Sequence, residues 1–134
     1  MRISARTQYG LRAMCALATA PAPVHAHQIA ADQDIPRRFC DSILLHLRRA
    51  GLIRSQRGPD GGYWLARPAE DITLADVIAV TEGAEPPAAR FPGAAAPLTE
   101  VWERLHDYET ALLGEVTLAD VTRQPSRSWR TAGS

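Results

Sequence analysis

The first fifty residues place apolar side chains at helical spacing and interrupt them with prolines. A first helix is predicted over residues 7–20, where the apolar positions are Leu11, Met14, Leu17 and Ala18. Pro21 and Pro23 end this helix, because proline cannot continue the backbone hydrogen bonding. A short second helix is predicted over residues 27–33, with Ile29 and Ala30 facing inward. A tight connection follows, and Pro36 is predicted in the first turn of a third helix.

A third helix is predicted over residues 37–50, and Gly51 then suits a left-handed cap. Its apolar stripe comprises Phe39, Cys40, Ile43, Leu44 and Leu47. Its opposite face is mostly polar and cationic, and comprises Arg37, Arg38, Asp41, Ser42, Leu45, His46, Arg48 and Arg49. Two short helices joined this tightly, the second cationic on its outer face, are typical of a helix-turn-helix.

A β-hairpin is predicted directly after the third helix. Residues 52–57 and 63–66 have strand character, and residues 58–62 between them are dense in glycine, proline and aspartate. A hairpin in this position indicates the wing of a winged helix-turn-helix. Arg57 and Gly58 lie at the tip of this predicted wing.

The second half of the chain begins with Thr73 and Asp76, a threonine and an acidic residue at the spacing of a helix N-cap. They start a helix that ends at Gly83. The five residues 73–77 recur with the same sequence at residues 117–121. Between them, ten of the fourteen residues 84–97 are alanine or proline, which predicts a loop. A long helix follows over residues 98–113, with apolar side chains at 3-4-3-4 spacing at Leu98, Val101, Leu105, Tyr108 and Leu112. This seam, together with Trp102, is the candidate dimer contact.

The predicted fold is therefore mainly α, a winged helix-turn-helix with a two-stranded β wing and a long C-terminal dimerisation helix. Residues 1–83 form the candidate DNA-binding domain, and residues 84–97 form an Ala/Pro-rich loop. Residues 98–122 form the dimerisation region, and residues 123–134 are expected to be a disordered tail.

Charge is strongly segregated, although the whole chain has a formal net charge of zero. Residues 1–67 contain ten arginines and four acidic residues, whereas residues 68–134 contain five arginines and eleven acidic residues. The net charges of the two halves are thus +6 and −6, and a basic half indicates a module that binds a polyanion. No run of about 18 apolar residues and no signal-peptide pattern is present, so we expect a cytoplasmic protein without membrane contact.

Several motifs together resemble the Rrf2 family of transcriptional regulators, which includes the IscR, NsrR and CymR types. The resemblance covers roughly residues 1–122, and its motifs are Tyr9-Gly10-Leu11-Arg12-Ala13, Ile35-Pro36-Arg37-Arg38-Phe39, Leu47-Arg48-Arg49-Ala50-Gly51-Leu52-Ile53, Arg57-Gly58-Pro59-Asp60-Gly61-Gly62-Tyr63, Ile72-Thr73-Leu74-Ala75-Asp76-Val77 and Thr117-Leu118-Ala119-Asp120. It implies a homodimer that represses genes from a pseudo-palindromic operator in double-stranded DNA. Each subunit would place its third helix in a major groove and its wing in the flanking minor groove.

One feature of the family pattern is missing from this chain. Family members that bind an iron–sulfur cluster carry three cysteines in the loop before the long helix. Residues 84–97 contain none, and the only cysteines of the chain are Cys15 and Cys40. Because thiolates are the usual ligands of such clusters, we expect no cluster in this loop, and no other cofactor is predicted.

The candidate DNA contacts fall into three groups. Arg37, Arg38, Asp41 and Ser42 are candidates for reading base edges, and the alternative is a merely solvated helix face. Arg57 beside Gly58 is the candidate for the minor groove. The candidates for phosphate contact are Arg2, Arg6, Tyr9 and His27.

The regulatory signal and the class of protein stay open from sequence. Three hypotheses for the signal are a small ligand between residues 73–82, the loop and the long helix, oxidation of Cys15 or Cys40, and a partner protein. The histidines and cysteines lack metal-ligand spacing, and the acidic residues of the long helix form no recognisable catalytic arrangement. We therefore expect neither a metal site nor an enzyme. The alternative function is a winged-helix protein-interaction module, which the retained Arg37, Arg38 and Arg57 argue against.

Overall fold

The computed structural model describes residues 3–83 and 89–123. The helices and strands follow each other as α1 (Ala5–Thr19), α2 (Ala26–Gln33), α3 (Arg37–Arg49), β1 (Ile53–Gln56), β2 (Gly62–Leu65), α4 (Leu74–Glu82), α5 (Pro97–Glu115) and α6 (Leu118–Thr122). Short 3-10 turns lie at Ala69–Asp71 and Gly93–Ala95. The predicted class, a mainly helical winged helix-turn-helix with a two-stranded wing, is confirmed.

The core lies where α1, α2 and α3 meet α4, α6 and the start of the wing. Its largest fully buried side chains are Met14, Ile29, Ile43, Leu44, Leu47, Ile53, Ile72, Leu118, Val77, Thr7 and Cys40. The turn between α2 and α3 passes through Asp34, which adopts a left-handed conformation with φ +52°. Pro36 is the N-cap of α3, one residue earlier than predicted, so it precedes the first turn instead of lying in it.

The apolar stripe of α3 is narrower than predicted. Cys40, Ile43, Leu44 and Leu47 are buried as expected, but Phe39 keeps 39% of its surface exposed. The assignment of Phe39 to the core was therefore wrong. Phe39 lies at the edge of this stripe, about 40° around the helix from Ile43. Its ring contacts that of Tyr9 in α1, with 5.9 Å between the centroids.

The wing is a two-stranded antiparallel sheet that is also joined to the segment between α1 and α2. Its register pairs Ile53 with Leu65 and Gln56 with Gly62. Tyr63 of β2 exchanges two backbone hydrogen bonds with Val24, at N···O distances of 2.8 and 3.0 Å. A side chain at Gly62 would collide with the backbone of Val24, so a glycine allows this close approach. The wing is therefore held along one edge by the preceding loop.

The two repeated capping sequences start α4 and α6 and meet each other. The hydroxyls of Thr73 and Thr117 accept from the backbone N–H of Asp76 and Asp120, each at 3.1 Å. Both carboxylates reach back to the N–H of the capping threonine, at 3.0 Å. The predicted capping device is thus confirmed at both positions, and the two threonines form an antiparallel bridge.

Helix α5 is slightly longer than predicted, and none of its side chains is fully buried. The end of the predicted loop is structured, since a 3-10 turn at Gly93–Ala95 leads into Pro97 and the Phe91 ring packs against Trp102 at 5.3 Å between centroids. Residues 84–88 and the tail after Arg123 lie outside the described residues. Among the helices that are described, none combines the length and apolar character needed to cross a membrane.

Candidate nucleic-acid interface

The outer face of α3 carries an ion pair between two of the predicted base-reading residues. Arg37 donates from Nε to Oδ1 of Asp41 at 3.1 Å, one helical turn further on. Both side chains are more than half exposed, at 57% and 54%. An exposed pair of this kind contributes about 0.5 kcal/mol at most, so either partner can be drawn away by DNA at little cost.

Ser42, another predicted base reader, is already in contact with a cation from α1. Arg6 donates from Nη1 to Oγ of Ser42 at 3.3 Å, and its other terminal nitrogen contacts Nδ1 of His46. Arg6, predicted to contact a phosphate, therefore lies across the flank of α3 and adds a positive charge to this face.

Tyr9 lies against the N-terminal turn of α3 within a row of aromatic rings and guanidinium groups. Its ring centroid is 5.9 Å from that of Phe39. Arg12 lies over the Tyr9 ring at 5.0 Å and Arg38 lies over the Phe39 ring at 4.9 Å. These contacts are within the range of cation–π attraction. They fix the start of α3 relative to α1 and hold Arg38 at the surface.

The tip of the wing begins at Arg57, whose side chain is exposed. Gly58 follows with φ +104°, a backbone conformation that favours glycine, and the N–H of Gly61 closes the turn onto its carbonyl at 3.0 Å. A ring nitrogen of His25 lies 3.3 Å from the carbonyl oxygen of Pro59. The tip that presents Arg57 is thus contacted from the loop before α2.

His27, a predicted phosphate contact, lies exposed in the first turn of α2 beside the wing. Its ring stacks on that of His25 with 5.8 Å between centroids and 11° between planes. Because His25 also contacts the wing tip, His27 is brought close to the wing. The remaining candidate of this group, Arg2, lies outside the described residues.

The predicted dimer contacts form a continuous apolar stripe on α5, called the α5 stripe below. Its members are each between 42% and 67% exposed, and they are Leu98, Val101, Trp102, Leu105, Tyr108 and Leu112. From Leu98 to Leu112 the stripe is about 21 Å long at 1.5 Å per residue. In the single chain all six of these apolar side chains are exposed to water. A continuous exposed apolar stripe is typical of an interaction surface.

Both cysteines are free thiols in environments that favour the protonated form. Burial raises the pKa of Cys40, and the nearby Asp41 raises it further while Arg37 opposes the change. Burial also raises the pKa of Cys15. The thiolate is the reactive form of cysteine, so these surroundings disfavour oxidation, and the redox hypothesis stays a prediction without structural support.

The described residues before α5 do not fit an iron–sulfur cluster. Residues 89–96 offer no thiolate, imidazole or carboxylate. Across residues 3–83 and 89–123, no group of three or more histidine, cysteine or acidic side chains is arranged to hold a metal ion.

The predicted effector site between α4, the loop and α5 includes residues 84–88, which lie outside the described residues. An open cleft of about 380 Å³ lies elsewhere, between the end of α1 and the wing, where Leu17, Pro21, Gln56 and Trp64 are among its lining residues. The place and nature of any effector stay predictions.

The comparisons with known proteins agree with this architecture. The model of the Rrf2 family, described as "Iron-dependent Transcriptional regulator", matches residues 3–124. A relative from Mycobacterium tuberculosis, described as an HTH-type transcriptional regulator, is 41% identical over 133 residues. The matched residues cover 90% of this chain and 81% of the relative. The solved structure of CymR, the global cysteine regulator of B. subtilis, superposes with a TM-score of 0.82 at 31% identity and covers 91% of this chain and 96% of CymR. The T. potens IscR structure gives a TM-score of 0.79 at 32% identity and covers 96% of this chain and 90% of IscR. The chain belongs to the Rrf2 family of helix-turn-helix transcriptional regulators.

Proposed function

We propose that this regulator binds a specific double-stranded DNA operator as a homodimer and represses transcription by covering the promoter. The observation that carries the proposal is the placement of cations on the helix-turn-helix and wing. Arg37 and Arg38 at the start of α3 and Arg57 at the wing tip are all exposed, and Arg6 lies across the same helix. Helix α3 would enter the major groove and Arg57 the flanking minor groove.

The charge distribution supports a polyanionic partner. The half of the chain that contains α1, α3 and the wing has a net charge of +6, whereas the half that contains α5 has −6. Contacts of arginine with phosphate release counterions from DNA, so such binding weakens as salt is added. The acidic half would stay away from the DNA, and this favours one orientation of the protein on the duplex.

The α5 stripe supports the homodimer. Two copies that bury this stripe against each other would remove six large apolar side chains from water on each subunit. Burial of apolar surface is the main driving force of such association. A two-fold dimer would present two α3 helices to successive major grooves about 34 Å apart, which requires a pseudo-palindromic operator.

Equilibrium binding followed by fluorescence anisotropy tests the proposal. The probes are a duplex from upstream of the protein's own gene and a scrambled duplex of equal composition, titrated between about 50 and about 200 mM salt. The variants are Arg57→Ala and the matched control Arg90→Ala, which removes an exposed arginine from the segment before α5.

We expect tighter binding to the upstream duplex, with an affinity that falls as salt is raised. Arg57→Ala should weaken binding and lower the salt slope by about one for each subunit, because one cationic contact is lost per subunit. Arg90→Ala should bind like the unmodified protein. Equal affinity for both duplexes, or equal effects of the two variants, would contradict the proposal.

A further inference from the structure

Helix α3 exposes one large apolar side chain, that of Phe39. Its neighbours in the predicted apolar stripe, Cys40, Ile43, Leu44 and Leu47, are buried, whereas 39% of Phe39 is in contact with water. Exposed phenyl rings are energetically unfavourable in water, and this one lies in the first turn of the helix that is proposed to enter DNA.

Two neighbours contact the Phe39 ring. The guanidinium of Arg38 lies 4.9 Å from its centroid, and the Tyr9 ring lies 5.9 Å away and tilted by 39°. Tyr9 belongs to α1 and so connects the ring to the body of the domain. A ring restrained in this way loses little further freedom when a ligand contacts its open edge.

Phe39 lies beside residues of the proposed DNA-reading surface. Arg38 precedes Phe39 in the chain, and Ser42 lies one turn further along α3 on the same flank. The partly exposed ring of Phe39 therefore lies between a cationic and a polar side chain, those of Arg38 and Ser42. A ligand that fits must present a small apolar group within an anionic surface.

We infer that Phe39 reads the methyl group of a thymine in the major groove, an inference that rests on the proposed DNA binding. Thymine is the only one of the four bases that places a methyl group on the major-groove edge. The phosphates on either side of it would lie within reach of the neighbouring cations, Arg38 and Arg6. Phe39 would thus determine specificity at one base pair in each half-site.

The test is a comparison of thymine with deoxyuridine, which lacks only the methyl group. Each thymine of the operator identified by the anisotropy experiment is replaced in turn, and the affinity is measured at constant salt. Replacing the contacted thymine in one half-site should weaken binding about fourfold, because one buried methyl group is lost. Replacing the symmetric thymines of both half-sites should weaken binding about fifteenfold. Replacement at the other thymines should have a smaller effect.

Phe39→Ala should bind the thymine and deoxyuridine operators equally, since the ring that contacts the methyl is gone. Phe39→Leu, which keeps an apolar side chain, should retain a reduced preference for thymine, and it carries the test if Phe39→Ala does not fold. Thermal melting of each variant without DNA measures folding separately. Arg90→Ala should keep the full thymine preference.

The outcomes separate this inference from the proposed function. If the unmodified protein binds no operator, the proposed function itself fails. If it binds specifically but shows no thymine at which deoxyuridine weakens binding, only the role of Phe39 is overturned. A folded Phe39→Ala variant that keeps the full thymine preference would also overturn it, because the ring would then act through packing against Tyr9.

Discussion

The attachment of the wing to the loop before α2 predicts different effects of substituting two glycines of the hairpin. Gly62 has φ +126°, and a Cβ atom there would approach backbone atoms of Val24 to 2.8–2.9 Å. Gly58 has a comparable φ of +104°, but a Cβ there meets nothing within 4 Å. Gly62→Ala should therefore separate β2 from Val24, whereas Gly58→Ala should leave that contact intact.

The expected magnitudes follow from the two kinds of penalty. A non-glycine residue in such a backbone region is unfavourable by about 2 kcal/mol, and this applies to both variants. Separation of β2 from Val24 breaks the two backbone hydrogen bonds of Tyr63, each worth about 1 kcal/mol. Gly62→Ala should thus lower the free energy of unfolding by about 4 kcal/mol, and Gly58→Ala by about 2 kcal/mol.

Urea unfolding followed by circular dichroism, at one protein concentration for all variants, measures the two losses. Hydrogen exchange at the Tyr63 amide, which donates to the Val24 carbonyl, measures the contact itself. Exchange should accelerate in Gly62→Ala and stay slow in Gly58→Ala. Equal losses of stability together with unchanged exchange in both variants would refute the reasoning.

Three further predictions concern the α5 stripe, a buried thiol and an N-terminal hydrogen bond. Leu105→Asp should convert the proposed dimer to a monomer in sedimentation experiments, since it places a charge in the middle of the α5 stripe, and a dimer that persists would contradict the proposed interface. Because burial raises the pKa of Cys40, its alkylation by iodoacetamide, followed by mass spectrometry, should be slow at neutral pH and accelerate only above the ordinary thiol pKa. The N–H of Ser4 donates to Glu82 at 2.7 Å and lowers the pKa of Glu82. This hydrogen bond should therefore stabilise the fold fully above the ordinary carboxyl pKa, and the stabilisation should disappear as the pH falls through the lowered pKa of Glu82. A pH series of melting temperatures measures this loss of stability. Glu82→Gln should abolish it, because the variant has no carboxyl group to titrate.

The sequence predicted those features that depend on neighbours in the chain. The capping boxes at Thr73 and Thr117 are formed by residues three positions apart, so the local sequence specifies them. The buried positions of α3 from Cys40 to Leu47 follow from helical periodicity alone. The hairpin followed in the same way from the density of turn residues between two short strands.

The features that the sequence did not predict join residues far apart in the chain. The contact of Arg6 with Ser42 spans 36 positions, and the Val24–Tyr63 bridge joins the wing to a loop that carries no strand signal. Phe39 was placed in the core because periodicity gives the angle of a side chain around its helix. Periodicity does not show whether a neighbouring helix packs over that side chain. Here α1 covers Phe39 only partly, through Tyr9.

Hydroxyl-radical footprinting of the protein on DNA from upstream of its own gene tests the central claim most directly. We expect two protected patches on one face of the duplex, about 10 base pairs apart from centre to centre, each with protection of the flanking minor groove by a wing. The minor-groove protection should be lost with Arg57→Ala and kept with Arg90→Ala. Uniform cleavage across the duplex, or protection with no two-fold pattern, would contradict it.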